Sequence, residues 1–302
     1  MLDLGRLRAL HAVARHGSVG AAATALGYTP SAVSQQIAKL ERETRTTLLE
    51  RRGRGIALTD AAHLLATTAD QVLKLVEQAE VALEEQRGAA VGRLRVGAFA
   101  TAARGLLPSA LVALARDHPA LDVRLVETDP PQGLEAVARG ELDMAVTHDW
   151  VNAPLAVPDG VSRVRLGEDF ADVLLPAGHP LATREALVPA DLAEERWICQ
   201  PESTICHDWL VNTFRGAGME PDLAYRIAEY ETQLALLAKG VGVALLPRLG
   251  RGAIPDTVRA VAFIPTPTRR VFAVWRAQAT RRPAVGAMLT ALRGCWDERS
   301  TA

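Results

Sequence analysis

The chain of 302 residues is long enough for two or three domains, and 49% hydrophobic with 23% charged residues is a globular composition that excludes a disordered chain. A net charge of −1 excludes a uniformly basic protein, and no apolar run reaches the 18 residues a membrane helix needs. Cys199, Cys206 and Cys295 are too few and too scattered for a disulfide framework and suit a reducing cytoplasm.

The start, Met1 to Leu10, is polar and periodic, unlike a signal peptide. Leu4, Leu7, Leu10 and Val13 predict a first amphipathic helix that Gly17 ends. Ser18 to Glu41 then predicts two short helices joined by a tight turn. Ala21, Ala22 and Ala23 let a neighbour pack closely, and Gly27 stops the helix. Thr29 caps the next one, with Pro30 in its first turn. Val33, Ile37 and Leu40 share one face, while Ser31, Ser34, Gln35 and Lys39 share the other. One buried face and one short, polar face is what a helix–turn–helix presents to base edges, although an ordinary helical hairpin has the same outline.

Leu48 to Thr59 predicts a hairpin with an arginine-rich tip. Such a wing places Arg52 and Arg54 on a phosphate backbone or in a minor groove, whereas a solvated arginine loop is the plain alternative. Residues 1–59 carry a net charge of +5 and residues 60–88 carry −4, so a polyanion would meet the head alone. With 31 arginines against three lysines, arginine by itself says little about phosphate binding.

From Asp60 to about Arg87 no Gly or Pro interrupts the chain, which predicts a helix roughly 40 Å long. Leu65, Val72 and Ala79, and likewise Thr68, Leu75 and Ala82, recur every seven residues, and Val76 and Leu83 widen the stripe. A second copy is the simplest cover for it, and packing on the chain's own C-terminal part is the alternative. After a break at Gly88–Gly92, strands alternate with helices. Strands are expected at 94–99, 123–126, 144–147, 172–175, 196–199, 225–227, 241–247 and 271–275, with helices at 106–116, 134–138, 208–214, 233–239 and 284–293. About 210 residues of this kind fit two sheets joined by crossover strands, with a cleft between them.

The order of parts resembles a LysR-type transcriptional regulator. The resemblance is carried by Ala21-Ala22-Ala23, Leu26-Gly27, Thr29 to Ile37, Leu40-Glu41, Leu48 to Arg54 and Leu58-Thr59, with support from Gly140 to Val146 and Leu237 to Pro247. It implies an α/β multidomain chain. A winged helix–turn–helix would occupy 1–59 and a dimerising linker helix 60–88. A two-lobed effector domain similar to periplasmic binding proteins would occupy 92–302, with lobe I at about 92–163 and 267–302 and lobe II at about 164–266. Four positions depart from the family pattern. At three of them, Arg45 and Ala62 stand where Gly is usual, and Leu49 where Phe is usual. Arg45 costs stability if its site needs positive φ. Gln35 replaces a frequent Arg, and Gln pairs more naturally with adenine than with guanine.

By the resemblance, Thr29, Pro30, Ser31, Ser34 and Gln35 face the major groove, and Arg51, Arg52 and Arg54 serve the wing. Partners implied are double-stranded DNA carrying an inverted repeat, a small-molecule effector, a second copy through the linker, a dimer of dimers, and RNA polymerase. In binding-protein-like folds, ligands sit beyond strand carboxyl ends at helix N-termini. That places effector contacts at Thr101 and Ala102, at His148, and at Cys199, Gln200, Ser203 and Thr204, and Thr128 is a further candidate. The resemblance adds Tyr230 and Glu231. Thr101, Ser203 and Thr204 equally suit helix caps, and His148 a surface turn. No Arg or Lys falls in these segments, so an uncharged or zwitterionic ligand is open beside an anion. No metal constellation, catalytic arrangement or cofactor motif is found, and the expected protein is a cytoplasmic bacterial-type regulator without cofactor. The alternatives are thiol-redox sensing through Cys199 and Cys206 and, in a different class, a ligand-independent architectural DNA-binding protein.

Overall fold

In the computed structural model, which describes residues 2–52 and 55–301, the chain forms two compact units, Met1–Gln86 and Arg87–Ala302. The first unit holds α1 (Leu4–His16), α2 (Val19–Leu26), α3 (Pro30–Thr44), a hairpin of β1 (Leu49–Arg52) and β2 (Gly55–Leu58), and α4 (Asp60–Arg87). Each of the first three helices begins on a side-chain cap. Asp3 accepts from the Arg6 amide, Ser18 from that of Ala21, and Thr29 from that of Ala32. Gly27 ends α2 at φ 68°, a left-handed conformation that glycine adopts at no steric cost. Arg45 ends α3 in the same region, at φ 50° and ψ 37°, with its N–H donating to the Glu41 carbonyl.

Val33, Ile37 and Leu40 are buried against Leu7, Leu10, Val13, Ala22 and Ala23. Each large side chain contributes about 1.5–3 kcal/mol by leaving water. The Glu41 carboxylate accepts from the amides of Leu48 (2.7 Å) and Leu49 (3.1 Å), which fastens the base of the hairpin to the end of α3. On α4 the expected uncovered stripe divides. Ala62, Ala66 and Ala69, with Leu65 and Val72 beside them, pack on the core of their own unit. Leu75 and Leu83 of the stripe remain exposed, and so does Leu64 outside it.

The second unit runs β3 (Gly92–Ala98), α5 (Ala100–Gly105), α6 (Leu107–Asp117), β4 (Leu121–Glu127), α7 (Pro130–Arg139), β5 (Met144–Trp150), β6 (Val161–Pro176), β7 (Ala186–Leu187), β8 (Arg196–Cys199), α8 (Ile205–Gly216), β9 (Asp222–Arg226), α9 (Tyr230–Leu237), β10 (Val243–Pro247), β11 (Val258–Phe263), β12 (Thr268–Arg276) and α10 (Pro283–Thr301). The strand order is β4-β3-β5-β12-β6-β10-β8-β9, with β11 on β6 and β7 on β11. β6 belongs to both lobes: it pairs with β12 as far as Phe170, and with β10 from Ala171. The lobe change expected near 164 therefore falls some six residues later, inside a continuous strand. Lobe I buries Leu94, Val96, Met144, Val146, Val271 and Met288. Lobe II buries Val173, Leu175, Trp197, Phe214, Val243 and Phe263. Leu249, which follows β10 of lobe II, is fully buried in the lobe I core.

The first half of β6 and all of β11 were not expected from the sequence. Arg163, Arg165, Gly167 and Glu168 give β6 the composition of a loop. Gly167 is there because the Trp296 indole of α10 lies on it and leaves no room for a side chain.

Candidate DNA-contacting face and effector cleft

The exposed side of α3 is formed by Ser31, Ser34, Gln35, Ala38, Lys39 and Arg42, with Thr29 and Pro30 exposed at its start. These positions follow helical spacing opposite Val33, Ile37 and Leu40, so burial on one side fixes presentation on the other. Thr29 does two things. Its hydroxyl caps the Ala32 amide (3.3 Å) and lies 3.0 Å from the Ser31 hydroxyl. Tyr28, 59% exposed beside the start of α3, and Arg42 on the same stripe were missed from sequence. Arg51 and Arg52 lie on β1 across from Ile56 and Gly55, and Arg54 lies outside the described residues.

In the second unit the expected effector residues separate into two neighbouring groups and a periphery. The first group surrounds a buried arginine. Arg269 of β12 is 1% exposed. Its Nε donates to Asp169 Oδ2 (2.7 Å) and its Nη2 to Thr101 Oγ1 (2.6 Å). Its guanidinium sits 5.0 Å from the Phe99 ring centroid and 6.0 Å from that of Trp150. His148 is buried beside them, its ring edge-on to Phe99 at 4.5 Å. Burial, and then the Arg269 charge, hold its imidazole well below the usual histidine range. His148 Nδ1 is buried with no hydrogen-bond partner among the described residues, while the buried Trp150 indole faces the Cys206 thiol.

The second group lines a cavity of about 20 Å³: Trp150, Cys199, Gln200, Cys206, Tyr230 and Gln233. Trp150 joins the two groups. Gln200 Nε2 donates to the Ala228 carbonyl (3.0 Å) and Gln233 Nε2 to that of Ile227 (2.6 Å). Burial pushes the Cys199 and Cys206 thiols up, and burial together with the Cys206 thiol does the same to the Tyr230 phenol.

The remaining candidates stand outside. Ala102 is part of the lobe I core. The Thr128 methyl lies over Gly97 and Gly133. Ser203 is exposed at φ 68°, Thr204 caps α8 by accepting from the His207 amide, and Glu231 is exposed, 3.5 Å from Arg104. No Arg or Lys falls in those segments, yet a cation reaches the site from outside them: Arg269, 168 residues beyond Thr101, is already paired with Asp169. The missed residues are Arg269, Asp169, Trp150 and Gln233. A signal existed for Arg269, which shares the inward face of β12 with Val271, Ala273 and Trp275. A charge at an inward position of an alternating strand needs a buried partner.

The helix–turn–helix family model described as "Bacterial regulatory helix-turn-helix protein, lysR family" matches residues 4–63, and "LysR substrate binding domain" matches residues 87–296. The "Probable HTH-type transcriptional regulator LrrA" of Synechococcus elongatus is 32% identical over 295 residues, covering 97% of both chains. The "Probable hydrogen peroxide-inducible genes activator" of Streptomyces viridosporus is 31% identical over 302 residues, covering 96% of this chain and 93% of that one. Among solved structures, a full-length OxyR variant from Pseudomonas aeruginosa superposes with a TM-score of 0.71 at 22% identity, covering 97% and 95% of the two chains. Full-length BenM gives 0.59 at 22%, covering 99% and 98%. The matched family models span both compact units, and the chain belongs to the LysR family of transcriptional regulators.

Proposed function

We propose that this LysR-type regulator reads its DNA site through Thr29, Pro30, Ser31, Ser34, Gln35 and Lys39, with Arg51, Arg52 and Arg54 on the flanking backbone. The small-molecule effector is bound between the lobes against Thr101, His148, Gln200 and Tyr230, with Arg269 added to that set. The observation that carries the effector half is the buried His148 Nδ1, which has no hydrogen-bond partner among the described residues, next to Trp150, which lines a small, mainly apolar cavity with Gln200 and Tyr230. Buried polar atoms normally find partners, and a ligand supplies one here. Its differential affinity for two lobe arrangements shifts the spacing of the DNA heads. The exposed Leu64, Leu75 and Leu83 support a homodimer through α4, and a dimer of dimers on an inverted repeat extends it. The working location is the cytoplasm, and the role is regulatory and not catalytic.

A thermal-shift screen of small metabolites tests the effector half. Ligands that raise the melting temperature of the wild type and lose that effect in Thr101→Val support it. A ligand whose effect survives both Thr101→Val and Gln200→Ala binds elsewhere and refutes it. A second reading, thiol-redox sensing, is supported by Cys199 and Cys206 lining one cavity. The burial that keeps both thiols protonated works against it. Peroxide treatment that leaves DNA binding unchanged and both thiols titratable ends that reading.

A further inference from the structure

The segment Arg248–Arg251, between β10 and β11, leaves lobe II and is held by lobe I. Leu249 is fully buried in the lobe I core. Its N–H donates to Asp169 Oδ1 (2.7 Å), and the other oxygen of the same carboxylate takes Arg269 Nε (2.7 Å). Arg269 in turn reaches Thr101. Gly250, at φ 64°, lies so close to the Thr101 carbonyl and the Gly105 amide that neither glycine has room for a Cβ. Arg104 Nε donates to the Gly250 carbonyl. On the outer side, Arg248 and Arg251 grip Asp172 of β6 at 2.6–2.9 Å, and the Arg248 N–H donates to the Phe170 carbonyl (2.7 Å).

We propose that Arg248–Arg251 is an interlobe strap, a third tie beside the two chain crossovers, which are strand β6 and the connection from β11 to β12, and that Asp169 links it to Thr101. Two crossovers alone leave the lobes free to bend about Phe170 and Ala171. With the strap seated, opening the cleft must draw Leu249 out of lobe I and break its hydrogen bond to Asp169. A ligand that takes the Thr101 hydroxyl removes one of Arg269's two partners and loosens the same carboxylate that holds Leu249. By reciprocity, loosening the strap changes affinity at Thr101. This regulatory half rests on the effector reading above, whereas the strap does not.

The test is amide hydrogen exchange on the full chain without ligand, comparing wild type, Gly250→Ala, Arg104→Ala, Thr101→Val and the surface control Arg215→Ala. Gly250→Ala is expected to speed exchange at least about tenfold in residues 99–106 of lobe I, while α8 of lobe II keeps its protection. Arg104→Ala, at a half-exposed side chain, gives the same pattern more weakly and decides the matter if Gly250→Ala does not fold. Thr101→Val, which keeps the backbone carbonyl that packs on Gly250 and removes only the hydroxyl, is expected to speed exchange of the Leu249 amide by roughly threefold or more. Deprotection confined to 248–251, a uniform rise across both lobes, or the same pattern in Arg215→Ala overturns the strap. An unchanged Leu249 amide in Thr101→Val overturns the link through Asp169. No ligand enters this experiment, so its failure leaves the effector reading standing, and an empty metabolite screen leaves the strap standing.

Discussion

Arg45→Gly separates two contributions at the end of α3. Arg45 holds φ 50° and ψ 37°, a left-handed conformation that costs an L-residue about 1–2 kcal/mol relative to its right-handed basin. Glycine removes that strain, but its freer unfolded chain returns about 0.4–1 kcal/mol of it. The side chain is exposed, so little packing is lost and the backbone bond to Glu41 stays. The expected gain is about 0.5–1 kcal/mol, or roughly 2–8 °C in the melting temperature of a unit of this size. All five tryptophans, at 150, 197, 209, 275 and 296, lie in the second unit. Far-UV circular dichroism on the full chain should therefore show the shift, while tryptophan fluorescence should not move. On DNA the same variant loses a cation. If Arg45 neutralises a phosphate, the log–log salt slope becomes shallower by about 0.9. A variant that melts at or below the wild-type temperature by circular dichroism refutes the strain argument.

Gln35→Ala should relax preference at one base pair by about 1–3 kcal/mol, read by competition with operator variants, and equal loss on operator and random DNA would exclude it as a base reader. His148 carries a pH signature. Its folded pKa lies below that of the unfolded chain, so the unfolded state takes a proton first as pH falls through about 6.5. Its contribution is complete above that pH, and below it stability should decline by up to about 1.4 kcal/mol per pH unit until the folded group also titrates. His148→Phe should flatten the wild-type slope between pH 7 and 5 in fluorescence melts, and parallel slopes would show that the ring is not buried neutral. Asp143 is 6% exposed. Burial raises its pKa, but hydrogen bonds from Arg95 and the nearby Arg282 charge outweigh that and keep it below the usual carboxylate range. Asp143→Ala leaves those guanidiniums facing an empty site and should cost about 3–5 kcal/mol in urea unfolding followed by tryptophan fluorescence, and a cost under about 1 kcal/mol would show the cluster to be water-screened.

What could be read from sequence was local. Ser18, Gly27, Thr29 and Pro30 each obey a rule that needs only their neighbours, and the helices of the first unit follow from them. The conflict at Arg45 could be read for the same reason: a helix end that favours glycine carries an arginine, and its backbone sits in the left-handed region. On α4 the heptad stripe was visible, but which of its residues face the chain's own core was not, because that depends on the packing of α1 and α3. The cleft was hardest. Thr101 and His148 were legible as positions near the ends of expected strands, but their electrostatic character is set by Arg269 and Asp169, which lie 168 and 68 residues beyond Thr101 in sequence. Ser203 and Glu231 match a family segment and are exposed, since a matched position fixes the backbone and not the direction of the side chain.

The place of β12 in the sheet bears on how the protein is made. It lies between β5 and β6, hydrogen-bonded to both, yet it follows β5 by the whole of lobe II. During synthesis at about 5–20 residues per second, β5 waits through roughly 120 residues for the strand that covers its edge. For several seconds the nascent chain presents the unpaired side of β5, an apolar run of Met144, Ala145 and Val146, to solvent. Lobe II emerges complete in that interval. The last strand to reach lobe I carries Arg269, so the buried charge beside Thr101 and Asp169 and the closure of the sheet arrive in one event.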